Sequence, residues 1–520
     1  MSGPGRIPIE SKSLNSQSDK TPESPHDRSP HRVLTLFDCV CIIVGTIIGA
    51  GIFKMPAIVA AQVPNVFWLV GVWVFGGIIA LIGALCFAEL TTTYPDRGGD
   101  YGYLKRAYHR RIGFAFSWAA FWVIRPTSIA LMAMIFGEFA TEVVPNSWPL
   151  YGFAILCVVG LSVTNLIGVR IGKTAQNVLT VAKVIGILVV VVAAFAFWQP
   201  INSTSNPDIS GAATSEDIDG GTTIPVPITG AAGNDASSTP GNEPSGQISS
   251  ESESVKPESE STWEWFWLSM VFVMFTFGGW NDIAFVASET REPKKNLLRS
   301  LVIGTGVVLL VYLMVNLALV FGLGFTRMAS LGGQWENATS VLVEQNMGSL
   351  GNYLLSILVC ISCLGAVNAM IFTSPRIYWA TAADYPGLRW ISGSFDGRGW
   401  WRAMLLQAFV TIAYIWTFGN DKNGVENLTA ANAPYFWSFL GLTVISLIVN
   451  RFKFKGEFVG YRVPLYPILP LVFTGACLFM VYRSWTYMID QELWVPTFVI
   501  GLWVGFGFVL SFVLQSKHDS

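Results

Sequence analysis

Residues 36–61 read LFDCVCIIVGTIIGAGIFKMPAIVAA, an apolar run interrupted at its middle by Gly49-Ala50-Gly51. A helix crossing lipid must satisfy its own backbone groups, so unwound chain survives there only where it lines a cavity or meets a ligand. A second apolar run, near residues 264–287, is interrupted the same way by Gly278-Gly279-Trp280. Paired interruptions in corresponding helices of two halves point to the substrate site of a secondary transporter.

Composition supports a membrane protein. Hydrophobic residues make up 52% of the chain, charged residues only 13%, and mean hydropathy is +0.50. A soluble domain carries about 25% charged residues. Runs that can cross a hydrocarbon core of about 30 Å occur at 36–61, 66–91, 113–141, 150–167, 176–198, 264–287, 299–324, 350–379, 402–419, 429–450, 465–487 and 494–515. The expected fold is all-α and integral to the membrane, with about twelve spans at that helix length.

Lys and Arg fix the orientation, because positive loops stay cytoplasmic. Arg28 and Arg32 precede the first span, and Lys105, Arg106, Arg110 and Arg111 fall between the second and third. Arg170 and Lys173, then Arg291, Lys294 and Lys295, then Arg451 and Lys453 continue the alternation. Both termini are expected in the cytoplasm, and the protein in the plasma membrane. Residues 1–32, rich in Ser, Pro and Lys, read as a disordered tail without a signal-peptide core. Residues 199–262 read as an acidic, disordered insert outside the cytoplasm, since their composition cannot bury enough surface to fold. The remainder divides into 33–198 with spans 1–5, 263–450 with spans 6–10, and 451–520 with spans 11 and 12 and a short tail.

The seven cysteines all fall within apolar segments, and the four histidines lie in tails or loops. Cys360 and Cys363 have CxxC spacing, which signals redox chemistry in a soluble βαβ setting but reads as packing inside a lipid-buried helix. Zinc spacing, a phosphate loop and a Ser/His/Asp constellation are all missing. No cofactor, no metal and no nucleic-acid partner are therefore expected, nor is the chain expected to be an enzyme. The expected partners are a small-molecule substrate and membrane lipid.

Unwinding at Gly49, Ala50 and Gly51 frees N–H groups at the positive end of the following half-helix, a ready site for a carboxylate. Carbonyls at the ends of the first half-helices, near Ile47 and Phe275, can accept from an ammonium. An α-amino acid zwitterion suits this pair of poles, with glycine allowing close approach to the backbone. The competing reading of each break is close helix packing through small residues.

Charges inside a membrane are expensive and mark function by default. Lys183, in the fifth span, either faces the bundle or snorkels to the interface. Arg125, beside Pro126 in the third span, lies too deep for easy snorkelling. It pairs with a carboxylate or with carbonyls freed by the proline; Asp38, Glu89, Glu138, Asp282 and Glu289 are the candidates.

The motifs carry a resemblance. Ile42-Ile43-Val44-Gly45-Thr46-Ile47-Ile48-Gly49-Ala50-Gly51-Ile52-Phe53 is similar to the first helix of permeases in the amino acid–polyamine–organocation superfamily. Ala88-Glu89-Leu90 and Gly98-Gly99-Asp100-Tyr101 resemble that superfamily's segment after its second helix. Ile124-Arg125-Pro126, Phe275-Thr276-Phe277-Gly278-Gly279-Trp280-Asn281, Ser362-Cys363-Leu364-Gly365-Ala366-Val367-Asn368 and Phe372-Thr373-Ser374 narrow it to the L-type amino acid transporter family. The resemblance runs from about residue 33 to 515, apart from the acidic insert.

It implies a 5+5 inverted repeat with discontinuous helices 1 and 6 and two peripheral helices. The implied activity is alternating-access transport of L-amino acids, with a neutral side-chain pocket expected because no unpaired carboxylate is evident near either break. Phe275 resembles an aromatic gate over the substrate. Trp280, Asn281 and Asn368 would border the side-chain pocket, with interhelical hydrogen bonding the alternative for both asparagines. Lys183 matches a lysine that stands roughly where sodium-coupled relatives hold sodium. That match implies sodium-independent exchange or proton-coupled uptake.

Two features depart from the family. Its animal members join a heavy-chain glycoprotein through a cysteine between helices 3 and 4, but residues 143–149 contain none. A disulfide-linked heavy chain is therefore not expected. Lys54, one turn beyond Gly51, either faces an outer vestibule or biases the pocket against cations. An amino-acid sensor that binds without transporting, and a membrane enzyme, are the rival readings.

Overall fold

A computed structural model describes residues 32–95, 98–145, 148–196, 263–333, 337–392, 400–419, 424–454, 456, 460–490 and 494–514. The tail expected at 1–32, apart from Arg32, and the insert expected at 199–262 lie outside the described residues.

In chain order the helices are α1 (Leu36–Ile47), α2 (Gly51–Gln62), α3 (Val66–Thr93), α4 (Asp100–Ala107), α5 (Arg110–Ala119) and α6 (Arg125–Val143). Next come α7 (Leu150–Ile167), α8 (Val169–Ala196), α9 (Glu264–Thr276), α10 (Pro293–Leu323), α11 (Phe325–Gly333) and α12 (Ala338–Met347). The chain continues with α13 (Ser349–Thr373), α14 (Pro375–Asp384), α15 (Arg389–Ser392), α16 (Trp400–Phe418), α17 (Gly424–Lys453), α18 (Ile468–Asp490) and α19 (Trp494–Val513). A π-helical turn, Ala120–Ile124, joins α5 to α6, and a 3-10 helix, Trp280–Glu289, follows α9.

Among the described residues, nine helices or continuous helix runs are long and apolar enough to cross a membrane, and α1 with α2 forms a tenth candidate bent by 50°. These ten coincide with ten of the expected spans. The other two expected spans correspond to α16 and α19. Neither is among those ten candidates. The count of twelve is thus an expectation beyond the ten.

The first break follows from local chemistry. Thr35 caps α1: its hydroxyl accepts from the Asp38 amide at 3.3 Å while the Asp38 carboxylate accepts from the Thr35 amide at 2.8 Å, the reciprocal pattern of a capping box. The helix ends where Ile48 turns extended, and α2 restarts at Gly51 with no side-chain cap at Ala50. The second break is set by Gly279, whose φ of +114° lies in a region L-residues rarely enter. Beyond it the chain is a 3-10 helix, not the α-helix a continuous span would give.

A third irregularity lies at Pro126, which has no N–H and whose ring clashes with the preceding turn. The π-turn absorbs that clash. Carbonyls there find side-chain donors: the Thr127 hydroxyl donates to Val123 at 2.6 Å, the Ser128 hydroxyl to Ile124 at 2.7 Å, and the Tyr414 hydroxyl to Trp122 at 3.0 Å.

Around the breaks, α10 packs along α3 and α1, α13 along α6 and α8, and α17 along α18. Gly45 lets α8 approach α1, for a Cβ there would stand 1.9 Å from the Gln176 side-chain nitrogen. Ion pairs join neighbours at the helix ends: Asp38 with Lys173, Glu89 with Arg451, Glu289 with Arg376 and Lys105 with Asp384.

Gly279→Ala should lower stability by roughly 1–2 kcal/mol from the left-handed backbone alone, with a further loss because the new methyl would sit 2.8 Å from the Thr46 side chain. Thermal unfolding of the detergent-solubilised protein measures it. Gly278→Ala, whose φ is not in the left-handed region, should unfold at a temperature nearer the parent's.

Candidate substrate site at the two helix breaks

The carbonyls released where α1 ends are held from three neighbouring helices. Lys183 of α8 is fully buried, and its Nζ donates to the carbonyls of Gly45 at 3.0 Å, Ile48 at 2.7 Å and Ser362 at 2.9 Å. Three acceptors match the three N–H donors of an ammonium. This placement leaves no room for snorkelling. Its stem passes Gly365 of α13, where a Cβ would lie 2.8 Å from Nζ.

The Ser362 hydroxyl lies 3.1 Å from the Ile48 carbonyl and 3.0 Å from that of Gly49, with its proton shared between them. Tyr312 of α10 bridges the two breaks. Its buried hydroxyl stands 3.2 Å from the Ile47 carbonyl and 3.0 Å from that of Thr276.

Sequence reasoning missed Tyr312, Ser362 and Gly365 as functional positions. Tyr312 is one of 15 tyrosines, set in an apolar run without a motif. Ser362 and Gly365 stood inside a recognised motif, and that was the available signal.

Ile47, Gly49, Ala50, Gly51 and Phe275 gather at this junction. A Cβ on Gly51 would come 3.7 Å from the Thr276 side chain, so the two broken helices face each other here. Phe275 retains 38% of its surface. Gly278 lies under Phe436 of α17, 3.9 Å from where its Cβ would be. The amides at the head of α2 carry the positive helix pole, and Ala50 supplies no side chain to cap them. The Phe275 carbonyl accepts from Gly278 N–H at 3.2 Å. Each carbonyl has a second lone pair, so that of Phe275 keeps capacity for an ammonium, while that of Ile47 already meets the Gly49 N–H at 2.9 Å and the Tyr312 hydroxyl at 3.2 Å.

Three other sequence-chosen residues lie apart. Trp280 is buried against Phe87 of α3 and Phe473 of α18, with ring centroids 5.1 and 5.7 Å away. Asn368 is committed to neighbouring helices: its amide donates to Gln176 Oε1 at 2.8 Å and the Gly172 carbonyl at 3.3 Å, and its oxygen accepts from Asn165 at 2.7 Å. Of the two roles the sequence left open for Asn368, this geometry is the interhelical one, because both its donors are used. Asn281 lines a cavity with Arg125 and Asp100.

Arg125 finds its partner in Asp282 through two parallel bonds, Nη1 to Oδ2 at 2.8 Å and Nη2 to Oδ1 at 2.7 Å. Asp38, Glu89 and Glu289 are taken by other cations, and Glu138 interacts with Lys54. The Phe285 ring lies 4.8 Å from the guanidinium. Among the described residues no group of His, Cys, Asp or Glu could hold a metal ion.

Helices long enough to span a bilayer, two of them broken against one another at the centre, define a membrane transporter of the broken-helix type. The chain belongs to the amino acid permease family, whose sequence profile matches residues 34–513. It is 27% identical over 488 residues to the human b(0,+)-type amino acid transporter 1, covering 92% of this chain and 87% of that one. It is 26% identical to the serine/threonine exchanger SteT of Bacillus subtilis (strain 168), over 88% of this chain and 91% of that one. It is also 26% identical to the human cystine/glutamate transporter, over 91% of this chain and 84% of that one. The chain is accordingly an amino acid transporter in a multi-pass membrane protein family, and these matches favour transport over the sensor reading.

Breaking one member of a buried ion pair costs about 3–5 kcal/mol, whereas replacing both with apolar residues is often neutral. Arg125→Met should therefore lower the unfolding temperature strongly, and Arg125→Met with Asp282→Leu should recover most of the loss. A double variant as unstable as the single one would show that the pair does not act as a unit.

Proposed function

We propose that the chain exchanges L-amino acids across the plasma membrane by alternating access, without sodium, and that the substrate zwitterion binds between the two helix breaks. The observation that carries this reading is the Lys183 ammonium seated on the carbonyls of the broken first helix. Its fixed charge braces the break where a coupling cation would sit. Two like charges about 4 Å apart repel by about 4 kcal/mol at an effective dielectric constant of about 20, so sodium would not share the site.

The carboxylate goes to the amides of Ala50 and Gly51, beside Gly49 whose own amide donates to the Ile47 carbonyl at 2.9 Å, and the ammonium goes to the carbonyls near Ile47 and Phe275. Phe275, more than a third exposed, serves as the gate. The substrate side chain is neutral: Asp282 is neutralised by Arg125, and Lys54 and Glu138 offset each other electrostatically. Trp280 and Asn368 hold the surrounding helices together, and Asn281 turns to the separate cavity it shares with Arg125 and Asp100. The two breaks fall in equivalent places of residues 33–198 and 263–450, as an inverted repeat requires. The positive loops put both termini in the cytoplasm.

The seven cysteines are all unbridged, and six of them are buried. With no cysteine between α6 and α7, the transporter works without a disulfide-linked heavy chain.

Proteoliposomes loaded with unlabelled amino acid should take up labelled amino acid equally well in choline and in sodium buffer. Lys183→Ala should lose most of that exchange. Activity that disappears in choline and returns in proportion to sodium would overturn the role given to Lys183.

Gly51→Leu should abolish substrate binding in a protein that still folds and inserts, because a branched side chain would project from 3.7 Å against Thr276 into the space between the breaks. Gly51→Ala, whose Cβ makes only ordinary contacts, should keep measurable binding in a scintillation proximity assay.

A further inference from the structure

The cavity beside the Arg125–Asp282 pair has a different chemistry from the helix breaks. It is lined by Asp100, Arg125 and Asn281 on its polar side and by residues such as Phe116 and Phe439 on its apolar side. About 10 Å³ is open within it, the room one water molecule needs. Three buried polar atoms of its lining residues have no hydrogen-bond partner among the described residues: Asp100 Oδ1, Arg125 Nε and Asn281 Oδ1. One donor and two acceptors around a cavity of that size satisfy the three bonds a buried water typically makes.

The charges do not balance if every group is ionised. One guanidinium stands among two carboxylates, and Asp282 already takes both of its forked bonds. A second buried carboxylate without a cation of its own favours the protonated form. Asp100 is that carboxylate: it is 2% exposed and sits at the start of α4 outside the spans. Burial, then the nearby Asp282, push its pKa up to about 8, against the opposing pull of Arg125 and a side-chain hydrogen bond from Asn281.

Among the described residues that line the cavity, Arg125 is the only other ionisable one. The cavity residues from α5 and α17 are apolar: Phe116 and Ala120 on one side, Phe436, Phe439 and Leu440 on the other. Tyr378 of α14 lies within electrostatic reach of Arg125 and Asp282. Tyr101 and Lys105 turn to Asp384, Arg110 of α5 acts on Tyr101, and Arg451 and Lys453 of α17 reach Glu89 and the Ala107 carbonyl.

We propose that Asp100 is a proton-binding site, bridged by one water to Arg125 and Asn281, whose occupancy controls the turnover of the transporter. The coupling is mechanical and short. Asn281 and Asp282 follow Gly279, the pivot of the second break, and Gly99 packs directly on Ala284 and Phe285 of the same 3-10 helix. With Asp100 protonated, Arg125 belongs wholly to Asp282. When the proton leaves, the new carboxylate competes for the guanidinium through its unused Nε, and the 3-10 helix loses part of its anchor. The proton dominates below about pH 8 and is released above it. This inference rests on the exchange reading, but the proton site can be read without transport.

Two measurements on the full-length protein test it. In proteoliposomes, exchange of labelled threonine or leucine by the parent should show a single-proton transition near pH 8, and Asp100→Asn should lose that transition whatever its absolute rate. In detergent, infrared difference spectra between neutral and alkaline pH should show a protonated carboxyl band that disappears on alkalinisation and is missing in Asp100→Asn. A parent without the band change, or an Asp100→Asn protein that keeps the parent's transition, overturns the proposal. If Asp100→Asn is not recovered folded, Asp100→Glu must move the transition; an unmoved one overturns the proposal equally. A parent that shows the band change but exchanges no amino acid would sink the exchange reading and leave the proton site standing.

Discussion

A carbonyl released from a helix in the middle of a bilayer has no water to turn to, and each unsatisfied group costs several kcal/mol there. The architecture around the first break answers that constraint. Lys183 from α8, Ser362 from α13 and Tyr312 from α10 each bring a donor to the end of α1, and Tyr312 spans to the second break as well. Gly45 and Gly365 are the clearances that let α8 and the Lys183 stem come so close. The same solution is asymmetric in charge. Carbonyls are covered by fixed donors, while the amides that head α2 receive no side-chain cap. A bound carboxylate would complete the set, as the proposed substrate site requires.

The remaining buried polarity is organised to keep the helices in register. One chain of bonds runs from Asn165 through Asn368 and Gln176 to the carbonyl of Cys41, where the Thr180 hydroxyl also donates, tying α7, α13, α8 and α1 together. Another ties α6 to the 3-10 helix through Arg125 and Asp282, with the Thr373 hydroxyl donating to the same carboxylate at 3.3 Å. Networks of this kind are costly when half-satisfied. The first ends in the lone unfilled Asn165 Oδ1; the second opens onto the cavity of Asp100. That cavity is adjacent to the 3-10 helix that follows the second break.

Relatives of comparable identity carry names with different substrates, from serine and threonine to cystine and glutamate. In the proposed binding mode the backbone poles at the two breaks recognise what all amino acids share. Side-chain preference must come from groups beyond them, and the charged residues nearby are already neutralised within the fold. Arg125 holds Asp282, and Lys54 faces Glu138.

Much of this protein was legible in its sequence because lipid imposes simple rules. Apolar runs of bilayer length, the alternation of Lys and Arg, and the glycines of both breaks follow from hydration and backbone sterics alone. The identity of Lys183 as a bundle-facing charge was legible from motif position, and its acceptors were not, since they come from residues 135 to 179 positions away. The partner of Arg125 was one of five acids equally plausible by proximity to membrane edges; only packing shows that the others are occupied. Asn368 and Trp280 carried the motif but not the direction of their side chains, which helix rotation decides. Tyr312 gave no signal at all, because a tyrosine in an apolar span has meaning only once two broken helices arrive at its hydroxyl. The sequence determined where the chain must break, and tertiary structure decided which side chains satisfy the breaks, because a hydrogen bond between distant residues exists only after the helices that carry them have packed.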